Sequence, residues 1–520
     1  MRPLFSVRHA IILTLLALAA GSRQAAFGRP ADSLSVSDRE IRVFSSAAGF
    51  RGAVWQNPAL YYDYAPFSWT DIDVYGAYHD KGRAALKQEG NRDTRIGLDV
   101  NSFIRLSEHD RVFGSAGYRH ARQEQVVWNE NADWQLLAPY VTGDSIGGFL
   151  KGETYYFNGG YARVWGDWTW GISGAYRAAH NYRDKDPRPR NTASDLSVTS
   201  GAGVRIRGYR LGFSAGFRFY RQTSEIAFLA DKGSTSVYHP LGLGLDYVRF
   251  AGSHTGTKHQ GLQWSGSLGL LPADTSKGLS ASLSIDRLSM NKILSDANNL
   301  TLLTLNTTTL RGNLVWLRPL RPAEHYGLKL EADYSLRQGL ENIYGEAGGN
   351  TYGDLITTAP GITISQTAVA AGGLWERLPL AQTAWGGAIE PKVAYQRLDL
   401  VYQTAAREAH LSSLTATLCA RLQYRHRKLY LNAEANGGYA ASLSARQSLP
   451  GLNPQKSADQ TLLANLGYLS DSYGLIGLRL QGNYPIFKQF NLSLSLQWQM
   501  ACYLKCGTTQ YAAVSLGFFF

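Results

Sequence analysis

No stretch of this sequence approaches the ~20 consecutive apolar residues that a membrane-spanning helix requires. Cysteine is nearly missing. Cys419, Cys502 and Cys506 are the whole complement, which excludes a disulfide framework and leaves the close pair at 502 and 506 as either a local disulfide or two free thiols. Motifs that carry chemistry are missing too. The chain has no Gly-x-Ser-x-Gly elbow, no His-Glu-x-x-His and no phosphate-binding loop, and its 11 histidines are scattered. These absences argue against an enzyme, a metal centre or a bound cofactor. Charged residues make up only 18% of the 520, with a formal net charge of +12; no nucleic-acid partner is expected.

What the chain does have is glycine and aromatics: 54 Gly, 30 Tyr and 12 Trp, interleaved along its length. That mixture suits all-β structure. Several segments alternate with period two, the signature of strands. In "YRLGFSAGFRFYR", Tyr209, Leu211, Phe213, Ala215, Phe217 and Phe219 share one face, with Arg210, Ser214 and Arg218 on the other. "YGLKLEADYSLR" and "FNLSLSLQWQMAC" read the same way.

The N-terminus sets the compartment. Arg2 and Arg8 precede the apolar run Ala10 to Ala20, too short to span a bilayer but suited to a signal-peptide core. Residues 1–28 are therefore expected to be a signal peptide, cleaved after 19 or 28. No cysteine lies nearby, so no lipid anchor is expected.

About 18 candidate strands follow, from 69–79 through 195–206, 209–221, 361–376 and 462–484 to 509–520; 14 to 18 strands fit the pattern. Short and long connections mostly alternate. "SEHD", "GD", "RG" and "RHR" are short, whereas Glu124 to Gly152, Gln222 to Gly256 and Ser444 to Thr461 are long. Outer-membrane barrels have short periplasmic turns and longer external loops. Aromatics cluster at the short turns: Trp165, Trp168 and Trp170; Trp316 and Tyr326; Trp375 and Trp385; Tyr424 and Tyr430; Tyr484 and Phe490. Such rings prefer the membrane–water interface. The reading is a transmembrane antiparallel β-barrel over 69–520, apolar side toward lipid, preceded by a periplasmic segment at 29–68.

The last strand ends on Phe520, with Phe518, Leu516 and Val514 at alternate positions before it. This resembles the C-terminal signal read by the barrel-assembly machinery, which the resemblance implies as a partner. Across most of its length the chain resembles an uncharacterised family of Gram-negative outer-membrane β-barrels, including "WQNPALYYDY" leading into the first strand. That resemblance implies location and architecture and no activity. "SSAAGFRGAVWQNPAL" is similar to the N-terminal segment of long-chain fatty-acid transporters, with Asn57, Pro58 and Ala59 at the Asn-Pro-Ala positions; the acidic stretch of those transporters is absent. The likeness implies a small hatch folded into the barrel from about Ile41 to Pro66. An ordered lead-in to the first strand fits these residues equally.

Strand parity points Arg177, Arg205, Arg210, Arg218, Arg311, Lys329 and Arg337 into the lumen, against acids such as Asp99, Asp286, Glu331, Asp333 and Glu434. Excess positive charge on a pore wall attracts anions. The leading expectation is a porin-like channel or transporter for a small solute, anion-preferring. The alternatives are a non-conducting binding or assembly partner of a larger uptake or secretion complex, and a transporter of hydrophobic compounds. Outer-membrane lipid and lipopolysaccharide are expected neighbours.

Overall fold

The computed structural model describes residues 34–229, 236–252, 255–275, 277–321, 323–346, 353–380, 384–487 and 489–520. The expected signal peptide, 1–28, lies outside them. Eighteen strands form the barrel: β1 (Trp69–Asp80), β2 (Arg92–Arg105), β3 (Asp110–Val126), β4 (Gly148–Trp165), β5 (Trp168–Tyr182), β6 (Arg188–Ile206), β7 (Tyr209–Ala227), β8 (Gly256–Pro272), β9 (Gly278–Leu294), β10 (Leu300–Arg321), β11 (Glu324–Tyr344), β12 (Leu355–Arg377), β13 (Trp385–Tyr402), β14 (Arg407–His426), β15 (Leu429–Ser448), β16 (Tyr473–Phe487), β17 (Phe490–Tyr503) and β18 (Gly507–Phe519). Each pairs antiparallel with the next, and β18 pairs with β1, so the sheet closes and leaves no edge. Phe520 and Thr70 exchange backbone hydrogen bonds at the seam.

The outer surface is apolar because alternate side chains point out of the closed sheet. Phe213 and Phe217 are 56% and 59% exposed, while Arg210 and Ser214 of the same strand are buried inside. Val514, Leu516 and Phe518 also face outward. At the short turns Trp165, Trp168, Trp170, Trp316, Tyr326, Trp385 and Tyr484 stand exposed as an interfacial girdle. Tyr430 departs from the expected girdle: it points inward and is buried against Ile41 and Leu378. A closed barrel with a lipid-facing apolar band and an aromatic ring is an outer-membrane structure, and the outer membrane is where this chain resides.

One strand boundary departs from the sequence reading. Residues 462–484 are not one strand. Ser457–Leu469 is an α-helix, and β16 starts only at Tyr473. "TLLANLGYL" is a short apolar run, and such runs fit helix and strand alike. Other strands run further outward than alternation suggested: the strand expected at 195–206 starts at Arg188, and only 183–187 connect it to β5. The rim is uneven. Strands β10, β11 and β12 have 22, 21 and 23 residues, whereas β1 and β18 have 12 and 13.

Candidate functional site

Residues 34–68 run round the inner wall of the periplasmic mouth. An α-helix at Val36–Val43 lies by β17, and a second at Ser46–Phe50 lies by β11 and β12. Two 3-10 turns, Gly52–Gln56 and Pro58–Asp63, then pass β8 and β9 and reach β3 to β7. We call this segment the hatch.

Local chemistry explains its path. Ser35 and Ser45 cap the two helices through their hydroxyls. Asn57 caps the last turn, accepting from the Ala59 amide at 2.9 Å, with Pro58 at the position where a missing N–H costs nothing. Asn57, Pro58 and Ala59 are all buried. They sit on glycines of the barrel wall: a Cβ on Gly171 would lie 2.4 Å from the Pro58 carbonyl carbon, and one on Gly201 would lie 2.1 Å from Asn57 Oδ1.

Four carboxylates fix the hatch to the wall or the wall to it. Glu376, fully buried at the end of β12, accepts from the Ser46 and Ala47 amides at 2.6 and 3.1 Å, meeting orphan donors at a helix start. Glu40 accepts from Asn491 at 2.7 Å and from Asn483. Asp38 pairs with Arg425 at 2.5 Å, and Asp63 with Arg210 at 2.5 Å. Burial raises the Glu40 carboxyl above its usual range, partly offset by its two asparagine donors. Phe519, on the inward face of the last strand, is buried here and stacks on Trp69.

The outer end is closed by different material. The connection 127–147 folds into the lumen. Tyr140 donates to Glu341 at 3.2 Å, and Tyr402 donates to the other oxygen of that carboxylate at 2.7 Å. Glycine is required opposite Tyr140, because a Cβ on Gly339 would lie 1.8 Å from its hydroxyl. His259 bonds the Tyr140 carbonyl, buried Lys292 donates to the Val141 carbonyl, and Arg337 donates to the Gln135 and Ala138 carbonyls. Residues 236–252 and the helix Ser457–Leu469 complete this lid; Arg407 bridges them through the Leu243 carbonyl and Asp459. Leu137, Tyr140, Leu241, Phe250, Leu303 and Leu466 belong to one buried apolar cluster that joins the lid to the tall strands. Outside the spanning strands, Glu130, Asp144 and Arg183 form a buried ionic knot; burial drives the Glu130 carboxyl well up.

Between hatch and lid the wall is polar and reaches water. Inward-facing Arg311, Lys392 and Asp333 have side chains 42%, 49% and 51% exposed although strands surround them. The basic residues expected along the wall are mostly braced. Arg218 pairs with Asp195 at 2.7 Å, Arg177 with Asp133 at 2.7 Å, Arg311 with Asp286 at 2.5 Å and Lys329 with Glu331 at 2.6 Å. Arg210 holds the hatch, Arg337 holds the lid, and Arg205 stands exposed at the periplasmic end of β6. On the opposite wall Asp71, Asp73 and Asp99 have no ion-pair partner among the described residues; Asp99 accepts from Tyr156 at 2.5 Å. Cys419, Cys502 and Cys506 are free thiols.

Sequence reasoning missed Glu376, Glu40 and Tyr140, and of the acidic wall it placed Asp99 in the lumen but not Asp71 or Asp73. The glycines opposite Asn57-Pro58 offered a signal, being inward residues of successive strands just above their turns. No comparable signal marked Tyr140, which lies in an aperiodic loop.

No curated protein matches this sequence. Among solved structures the chain is similar to the ferric enterobactin receptor PfeA of Pseudomonas aeruginosa (10% identity, TM-score 0.37, covering 87% of this chain and 81% of that one). It is also similar to the ferric preacinetobactin receptor BauA of Acinetobacter baumannii (8%, 0.40, 88% and 80%) and to the copper transporter OprC (9%, 0.46, 85% and 63%). Likeness at this level carries no argument about a ligand, and the expected likeness to fatty-acid transporters is not shown. Residues 58–520 match a family of unknown function, DUF6850, and the chain belongs to that family.

Proposed function

We propose that this outer-membrane barrel carries a small polar solute through a water-filled mid-barrel chamber gated at both ends, with no enzymatic step. One observation carries the reading: charged side chains at mid-wall keep their exposure while hatch and lid narrow the two mouths. A wide strand count gives room for a lumen, and infolded segments turn that room into a compartment. The cations that strand parity sends into the lumen argued for anions. The wall weakens the case for that preference, because Arg218, Arg311 and Lys329 are tied to carboxylates and Asp71, Asp73 and Asp99 set acidic groups beside Arg119 and Arg479. The polar midsection likewise gives no support to a hydrophobic cargo. The C-terminal alternation supports assembly by the barrel-assembly machinery in a lipopolysaccharide-bearing membrane.

Planar-bilayer conductance tests the gate. Four proteins are compared: the intact chain, one lacking 34–56, one with 456–470 replaced by a short Gly-Ser linker, and one with both changes. The double variant is expected to conduct steadily and the intact protein not to, with a reversal potential showing no anion preference. Steady conductance by the intact protein would make it an open pore. No conductance by the double variant would favour a binding partner of a larger complex.

A further inference from the structure

The outward face of the barrel is not uniform at its outer end. An outer-membrane barrel has an apolar band ~25 Å tall crossed by strands tilted ~35–45°. At about 3.3 Å per residue along a strand, roughly ten residues cross it. On β7, Arg221 lies 12 positions beyond Tyr209 at the periplasmic turn, so it stands at outer-leaflet headgroup depth. Arg190 of β6 and Lys258 of β8 lie at or above that depth. Arg287 of β9 begins lower, and its long stem lets the guanidinium reach upward.

All three arginines are exposed, point away from the lumen, and have no ion-pair partner among the described residues. Lys258 donates to Asn299 at 3.0 Å. Polar side chains fill the positions between: Thr192, Ser194, Thr223, Gln260 and Ser289 are in the same belt. Glu225, the register partner of Arg190 across β6 and β7 but not within ion-pair distance of it, is the one acid among the described outward residues of β6–β9. Directly below lies an apolar wall of Leu196, Phe217, Phe219, Leu262, Trp264 and Ile285. Elsewhere on the rim Arg397 and His410 are neutralised on Asp399, and Arg446 stands as a single exposed arginine rather than one of a cluster.

Unpaired guanidiniums over an apolar wall match a ligand with phosphate above and acyl chains below. Arginine binds phosphate through paired, charge-assisted hydrogen bonds. We propose that the outer end of β6–β9 is a binding site for the phosphorylated glycolipid of the outer leaflet, with Arg190, Arg221 and Arg287 contacting its phosphates and the strand face below receiving its acyl chains. The site is separate from the chamber and stands whether or not the barrel conducts.

Native mass spectrometry of the folded protein in neutral detergent, with bisphosphorylated lipid A as probe, tests this. A saturable adduct is expected. The triple variant R190Q/R221Q/R287Q should weaken it about tenfold, while R446Q, on the far side of the barrel, should not. Should the triple variant fail to show heat-modifiable folding, the single variants R221Q and R287Q give the same reading with smaller losses. Undiminished binding by the folded variants would overturn the site. So would equal binding of dephosphorylated lipid A, which would mean acyl packing alone, or full displacement by inorganic phosphate, which would mean an anion site with no lipid.

Discussion

At the periplasmic mouth, Glu376, Glu40, Asp38 and Asp63 join a single N-terminal segment to the wall, and the apolar contacts there are broken into small separate clusters. At the outer mouth three connections interlock around one continuous apolar cluster built partly from the overlong strands β10 to β12. The difference has a physical consequence. A hydrogen bond lost to water is largely replaced by water, whereas an apolar cluster pulled apart is not. The hatch is built to exchange its contacts, and the lid is built to stay.

The largest expected effect breaks both ends together, because both are mounted on a closed sheet. Removing Phe520 and changing Phe518→Ser strips the seam between β18 and β1. Folded barrel should fail to accumulate, seen as loss of heat-modifiable mobility on gels; normal mobility would contradict the role given to the last strand.

A smaller effect separates the ends. Glu376→Ala leaves two helix-start amides without their charged acceptor, at about 1.5–3 kcal/mol for each such hydrogen bond, and should expose 34–68 to protease while the lid stays intact. Leu303→Ala opens a cavity under the lid, at about 2–5 kcal/mol, and should loosen 127–147 with the hatch unchanged. Identical cleavage patterns for the two variants would mean that the ends are one unit.

The smallest effect is in pH. Burial raises the Glu40 carboxyl above 4.5, so its contribution to docking is full below that value and is lost as pH rises through the raised pKa. Asp38 is held below 3.8: burial opposes this, but Ser35 and Arg425 outweigh it, and its contribution is lost as pH falls. The hatch should be tightest between 3.8 and 4.5 and loosen toward neutrality. Limited proteolysis of 34–68 at pH 5 and pH 8, normalised to an unfolded peptide, should show faster cutting at pH 8, and Glu40→Gln should flatten the difference.

Much of this architecture was legible beforehand because a membrane barrel writes its fold in period two. Phe213 and Phe217 against Arg210 and Arg218 give the sidedness of β7 without any structure. The chamber was less legible. Parity sends Arg210 inward, but its partner Asp63 lies in a segment with no strand periodicity, so a wall residue and a hatch anchor look alike in sequence. Tyr140 and the helix at 457–469 were hidden for a related reason: loops folded into a lumen bury apolar residues in no fixed period. The charge balance carried least, since cation–carboxylate pairing across strands is invisible to a sum.

The central claim is that the hatch yields and the lid holds. Amide hydrogen exchange of the native protein measures this directly, since local opening sets the rate for each segment. Residues 36–63 should exchange at least about tenfold faster than the infolded lid at 137–143 and 241–250. Equal rates, or a lid that exchanges faster than the hatch, would contradict the account.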